Sequence, residues 1–309
     1  MLGTFLLAAG LVIFLLPFNI NGTYGDGWNS AGIIAMLVVG ALLIVAFVVN
    51  EKFLAPVPFL EWSIVRSRTV FGTCALDICY QISYSCWAYY YTSFLQVNSG
   101  VSISVAGYIM NIFDVVSGVW LFGVGLLIRK TCRYRWLLYW ILPLYMLGIG
   151  LMIHFRKPDQ SVGYLVMCQI FMAFSGGALI IVMQTSVLAA SDHQNAAGAL
   201  AFLNVFGSIG GAIGGSVSAA IWTGTLPGAL QKYLPTESVG DWESIYEDLD
   251  KQLSYPKGSE TRYAIEQAYA LAQGHMVICG TAIMGLSLVW MFVIRDIKLD
   301  RNQTKGVLF

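Results

Sequence analysis

Hydrophobic positions gather into eight long runs, at about 1–19, 31–49, 69–95, 103–128, 136–154, 161–189, 197–222 and 273–294. Each is long enough to cross a bilayer as a helix. They are called helices A to H here. Polar residues concentrate between the runs, with one informative exception. Helix C, from Thr69 to Leu95, carries Asp77, Gln81 and a series of aromatic residues inside a run of spanning length. At 100° per residue, Asp77, Tyr80, Gln81, Tyr84, Trp87 and Tyr91 fall within about 120° of one another. A mid-helix Asp costs about 2.5–3.5 kcal/mol on insertion scales. Such a residue faces protein or a wet cavity rather than lipid, so this face is expected to line a substrate pathway.

Composition agrees. The 309 residues are 57% hydrophobic and 11% charged, against about 25% charged in soluble domains, and mean hydropathy is +0.70. The reading is an all-α polytopic membrane protein, one transmembrane domain over residues 1–309. Net charge is zero, so nothing points to nucleic acid. Helix A has no basic region before its apolar core and ends at Pro17-Phe18-Asn19. It therefore reads as a spanning helix of something longer rather than as a signal peptide.

Lys and Arg set the orientation. Lys52, Arg66, Arg68, Arg129, Lys130, Arg133, Arg135, Arg295, Lys298, Arg301 and Lys305 share one side, whereas the short loops opposite hold only Arg156 and Lys157. Loops 50–68, 129–135 and 190–196 and the C-terminal tail are thus expected to be cytoplasmic. Residues 20–30, 96–102, 155–160 and 223–272 are expected outside, where Asn21-Gly22-Thr23 forms a glycosylation sequon close to the membrane. The long loop 223–272 carries eight acidic and four basic residues. Within it Trp242, Ile245, Leu249 and Leu253 recur at helical spacing and predict a short amphipathic helix. A second helical stretch from about Ser259 runs into helix H. The loop reads either as a solvated ornament or as a lid over the outer mouth.

Two acids lie deep in the membrane without a Lys or Arg beside them, Asp77 on helix C and Asp114 on helix D, the latter with Asn111 one turn away. Such carboxylates can load and release protons near neutral pH. They read as coupling or transport residues, or as neutral links between helices. The aromatic face of helix C reads as a wall for a bulky substrate, with Tyr84 and Trp87 as contacts, or as packing. Gln169 on helix F and Asn204 on helix G are cavity residues or interhelical glue. Helix G repeats GxxxG through Gly207, Gly211 and Gly215 and also Gly210 and Gly214. That pattern predicts a close-packed helix face able to slide.

No GxxxxGK[ST] loop, HExxH, CxxC or Cys/His cluster occurs. His154, His193 and His275 are scattered, and no nucleophile and base are paired. No enzyme, metal site or cofactor is read here. The six cysteines read as small buried hydrophobes rather than as a disulfide framework.

Between helices D and E stands Gly125-Leu126-Leu127-Ile128-Arg129-Lys130-Thr131-Cys132-Arg133-Tyr134-Arg135. It resembles the loop signature of the major facilitator superfamily, G-x-L-x-D-R-x-G-R-K, with Arg129 in place of the Asp and Cys132 in place of the second Gly. Further strings surround it: Trp87 through Val97, Ala106-Gly107-Tyr108-Ile109, Gly148 through Ile153 with Phe155-Arg156, and Ala220-Ile221-Trp222-Thr223 followed by Pro227 and Leu234-Pro235. Together these resemble the fungal siderophore-iron transporters, a fourteen-helix branch of that superfamily.

The resemblance implies that helices A–H are helices seven to fourteen, with the first six absent from this chain. It implies that C, D, F and G surround the cavity, with E and H peripheral. It further implies proton-coupled uptake of a ferric siderophore by alternating access, in a plasma or endosomal/vacuolar membrane. The partners are then the bilayer, the siderophore, the proton and the missing helices. A proton-coupled drug exporter of the same fold and a non-transporting truncated membrane protein are the rival readings.

Overall fold

The computed structural model describes residues 2–20, 29–54, 66–192 and 195–299, which are mostly helical with no strand among them. The eight expected runs appear as α1 (Leu2–Ile20), α2 (Ala31–Val49, continued by a π-helical turn Asn50–Leu54), α3 (Arg68–Ala88) with α4 (Tyr91–Ser99), α5 (Ile103–Thr131), α6 (Arg135–Phe155), α7 (Val162–Ala189), α8 (Ala196–Tyr233) and α11 (Glu260–Val293). Two short helices, α9 (Trp242–Glu247) and α10 (Leu249–Ser254), lie between α8 and α11. Six of the helices are long and apolar enough to cross a membrane. Apolar side chains such as Phe122 and Trp140 stand exposed on the outside, as a bilayer requires. The protein is a multi-pass membrane protein. The sequon at Asn21, His193, Arg301 and Lys305 lie outside the described residues. "Inner" and "outer" below follow the charge count.

Local chemistry sets the helix ends. Ser102, Ser161 and Ser259 cap α5, α7 and α11 by accepting from the amides of Val105 (3.4 Å), Gly163 (3.3 Å) and Arg262 (3.2 Å). Arg129 and Lys130 sit in the last turn of α5, where cations favour the helix dipole. The inner end is tied by the segment after α11. Tyr134 donates its hydroxyl to the Arg295 carbonyl at 2.7 Å, the Leu299 amide donates to the Cys132 carbonyl at 2.9 Å, and Arg133 pairs with Asp296 at 3.2 Å.

The core sits around α3, which packs against α7, α8 and α11. α6 packs on α7 and α11, α5 packs on α7, and the α1–α2 pair leans on α8 through α1. α11 lies behind α3. Gly72 and Cys86 meet Val293 and Gly280 there, and on the helical wheel they stand roughly opposite Asp77.

Three boundaries differ from the sequence expectation. Helix C breaks at Tyr89–Tyr90, because Tyr90 takes a left-handed conformation (φ 58°) and stacks its ring on Trp222 at 4.3 Å. The second piece, α4, runs to Ser99 and stops at Gly100, whose φ of +65° is a natural helix stop. Helix G continues to Tyr233, while the stretch expected from about Ser259 does run into helix H as one helix from Glu260, so the outer connection is 234–259. Hydrophobic runs measure the thickness of the bilayer, whereas these helices continue beyond it on buried stripes: Leu226, Ala229 and Leu230 on α8, and Ala264, Ile265, Ala268 and Ala272 on α11. The amphipathic helix expected through Trp242 and Leu253 is two helices. Asp248 divides them and caps the second by accepting from the Asp250 amide at 2.8 Å.

Candidate substrate face of the central helix

On α3, Asp77, Gln81, Tyr84 and Ala88 lie within about 60° of one another, on the side turned away from α11. Gln81, Tyr84 and Ala88 are half-buried, and Asp77 is buried at 5% exposure. The Asp77 carboxylate faces the Gln81 side chain one turn on and lies under α8 at Gly207. A Cβ on Gly207 would fall 2.7 Å from Asp77 Oδ2. The missing side chain is what admits the carboxylate.

The tight face of α8 runs through Gly207, Gly210 and Gly214. Cβ atoms on the latter two would meet Ile78 Cα at 2.9 Å and Ser85 Cβ at 2.7 Å. A Cβ on Gly215 would fall 2.9 Å from the Tyr89 hydroxyl. Gly211 departs from the expectation, because nothing stands within 4 Å of where its Cβ would be. The repeat every four residues advances 400° per step, and the close line follows i, i+3, i+7 instead. The Gly211 carbonyl does accept from Ser85 Oγ at 3.4 Å.

The aromatic residues divide. Tyr80 and Trp87 are fully buried and turned inward among α5, α6 and α7. Tyr80 lies 5.5 Å from Tyr145, and its hydroxyl sits against Gly176, where a Cβ would be 2.8 Å away. Trp87 packs on Phe113 at 5.5 Å and on Tyr91 at 5.9 Å. Tyr84 bridges core and open face, 5.3 Å from Trp87 and 5.4 Å from Phe113.

Asn111 and Asp114 are exposed on α5, and Asp114 lies near Tyr84. Gln169 is wholly buried, and neither its amide oxygen nor its nitrogen has a partner. Asn204 is exposed on α8 and lines a groove of about 530 Å³ shared with Leu11, Leu15 and Leu16 of α1. The structure therefore brings together Asp77, Gln81, Tyr84 and Asp114. It puts Tyr80, Trp87 and Gln169 in the core, and Asn204 on a different face. No group of His, Cys, Asp and Glu among the described residues could hold a metal, and the cysteines are free thiols.

Two buried arginines were not anticipated. Arg156, at 1% exposure, donates to the side-chain oxygen of Gln273 and to the Trp87 carbonyl at 2.7 Å. Its guanidinium lies 4.5 Å over the Tyr91 ring. Burial lowers its pKa to about 10, which leaves it charged at neutral pH. Gln273 in turn donates to the Tyr89 carbonyl at 3.2 Å. Two of the carbonyls freed where helix C breaks, those of Trp87 and Tyr89, are thereby satisfied. Arg262 does the same for the end of α4, donating to the Val97 carbonyl at 2.8 Å and the Gln96 carbonyl at 3.2 Å while pairing with Glu266 at 3.5 Å. The sequence signal for Arg262 was its i, i+4 spacing to Glu266. For Arg156 there was none, since a loop cation beside Lys157 looks like a solvated rim.

In known proteins, no family model matches the chain. An MFS siderochrome iron transporter D of Aspergillus fumigatus is 63% identical over 308 residues, covering 100% of this chain and 52% of that protein. The siderophore iron transporter mirB of Emericella nidulans is 47% identical, over 99% of this chain and 51% of its own length. Siderophore iron transporter 1 of Schizosaccharomyces pombe is 34% identical, over 98% and 50%. The chain spans about half the length of the curated relatives it matches. Among solved structures, an inward-facing, occupied bacterial homologue of the human lysosomal transporter Spinster superposes with a TM-score of 0.58 at 14% identity, covering 93% of this chain and 64% of that one. That likeness carries the fold alone. Along its whole length the chain is thus similar to about half of siderochrome and siderophore iron transporters of the MFS type.

Proposed function

We propose that this chain acts as one half of a ferric-siderophore transporter that takes up its cargo with protons by alternating access. The observation that carries the reading is the 63% identity, along the whole chain, to a siderochrome iron transporter. The other half of the pathway comes from helices like those that complete the curated relatives. The open face of α3 and α5 is the cargo side. Tyr84 and Gln81 offer an aromatic ring and an amide to a bulky chelate whose iron arrives already bound. Asp114, exposed beside Tyr84, is the coupling carboxylate. Asp77, held between Gln81 and Gly207, is a second proton site that opens when α8 slides off α3. The outer segment 234–259 is a lid, and the membrane is plasma or endosomal/vacuolar. The same similarity argues against the drug-exporter and non-transporting readings.

The test is accumulation of radioiron-labelled siderophore in cells that express this chain joined to the upstream helices of a relative. Accumulation abolished by a protonophore and by Asp114→Asn is the expected result. Accumulation indifferent to both, or none from a protein present at the membrane, overturns the reading.

A further inference from the structure

At the outer end of the bundle a groove of about 500 Å³ opens between the end of α6 and the outer half of α11. Its lining contains Arg156, Lys157 and His275 and no acidic residue. Its floor is Gly274, where a Cβ would meet nothing within 4 Å. Its apolar wall descends α11 from Leu271 to Ile278, both exposed, the latter at 50%. From Leu271 to Ile278 the helix drops roughly 10 Å, from the level of the Lys157 loop toward the hydrocarbon.

The electrostatics of the groove are unbalanced. Arg156 is buried and charged, yet its partners are an amide, a carbonyl, a thioether and aromatic faces, and its Nε has no partner. Glu266 is paired with Arg262, and no ion pair to Arg156 or Lys157 is present among the described residues. Asp159, two residues beyond Lys157, is exposed. A buried cation without a carboxylate gains from any anion that settles beside it. α11 lies on the side of α3 away from the cargo face, and its Leu271 and Ile278 stand exposed there, as a lipid-facing surface requires.

We propose that the groove is a binding site for an anionic phospholipid of the leaflet at this end, with the phosphate between Lys157 and His275 beside Arg156 and an acyl chain lying over Gly274 and down past Leu271 and Ile278. The amphipathic shape favours a lipid over a free anion. The cations and the apolar wall are contiguous, and they sit where headgroup meets hydrocarbon. The proposal is independent of what the cargo face carries.

The test is native mass spectrometry of the full chain in detergent, titrated with phosphatidylglycerol or phosphatidylcholine. Retention of phosphatidylglycerol about tenfold better than phosphatidylcholine is expected, with inorganic phosphate unable to displace it. The double variant Lys157→Gln, His275→Gln should bring the ratio close to one, both side chains being exposed. Gly274→Leu, which fills the floor, should retain neither lipid while unfolding at the wild-type temperature. Equal retention of both lipids by the wild type, an unchanged ratio in the double variant, lipid still held by Gly274→Leu, or displacement by inorganic phosphate would each overturn the assignment.

Discussion

Asp77 and Gly207 occupy one site between them: the carboxylate Oδ2 stands 2.7 Å from where a Cβ on Gly207 would be. Any side chain on Gly207 has to move either the carboxylate or helix α8. Gly207→Ala should therefore destabilise the chain by about 1–3 kcal/mol, the usual cost of overpacking. Because the clash is with a side-chain terminus, Asp77→Ala in the same chain should recover most of the loss. Thermal unfolding in detergent of the two singles and the double measures the coupling. Strictly additive losses would mean that the contact between the two is not what limits stability.

Gly210 and Gly211 are adjacent in sequence and opposite in consequence. A Cβ on Gly210 meets the Ile78 backbone at 2.9 Å, which cannot swing aside, while one on Gly211 meets open space. Gly210→Ala should lower the unfolding midpoint strongly. Gly211→Ala should leave it unchanged or raise it, since Ala is about 0.8–1.0 kcal/mol better than Gly inside a helix. Equal effects at the two positions would contradict the packing line described above.

Arg156 holds the break in helix C together. Arg156→Met keeps the length and removes the donors, leaving the Trp87 carbonyl and the Gln273 side chain without this partner. Each buried group left bare costs about 1–3 kcal/mol. Arg156→Lys should fail to rescue, because an ammonium cannot lie flat over the Tyr91 ring while donating in two fixed directions. Hydrogen exchange around residues 87–91 is the direct measurement, and unchanged protection in Arg156→Met would refute the role.

Much of this architecture was readable in the residues, because bilayer thickness and the cost of exposed backbone leave few solutions. Runs at spanning length became helices, and the cations in short loops marked helix ends such as Arg129 and Lys130. The face through Asp77, Gln81 and Tyr84 was legible because a carboxylate in an apolar run needs a reason. What failed was anything set by a neighbour's shape. A helical wheel places Tyr80 and Trp87 beside Tyr84, but whether a ring turns to the cleft or the core depends on Gly176 and Phe113 on other helices. The break at Tyr90 depends on Trp222, more than a hundred residues away. Gln169 reads as a cavity residue or as interhelical glue, and only packing shows it buried without a partner.

Gln169 is consequently a position where a polar side chain works against the fold. Both amide atoms are buried and unpartnered, so the side chain carries a desolvation cost that an apolar group of similar volume would not. Gln169→Met should raise stability by about 1 kcal/mol or more, read as a higher unfolding midpoint. A marked loss instead would show that the amide is engaged with the cargo or with internal water.

Gln252 and Arg262 tie down the outer segment in different ways. Gln252 donates to the Ile245 carbonyl and accepts from the Tyr269 hydroxyl, each at 2.6 Å, and so binds α9 and α10 to α11. Arg262 donates to the Gln252 carbonyl at 2.5 Å and also reaches the carbonyls of Gln96 and Val97 at the end of α4. Removing the first should loosen the short helices alone, and removing the second should loosen α4 with them. Gln252→Leu is expected to speed amide exchange over residues 242–254 by about tenfold or more while residues 91–99 stay protected. Arg262→Met should raise exchange in both segments. If Gln252→Leu also released α4, the two would form one cooperative unit, and a lid moving independently of the broken helix would be excluded.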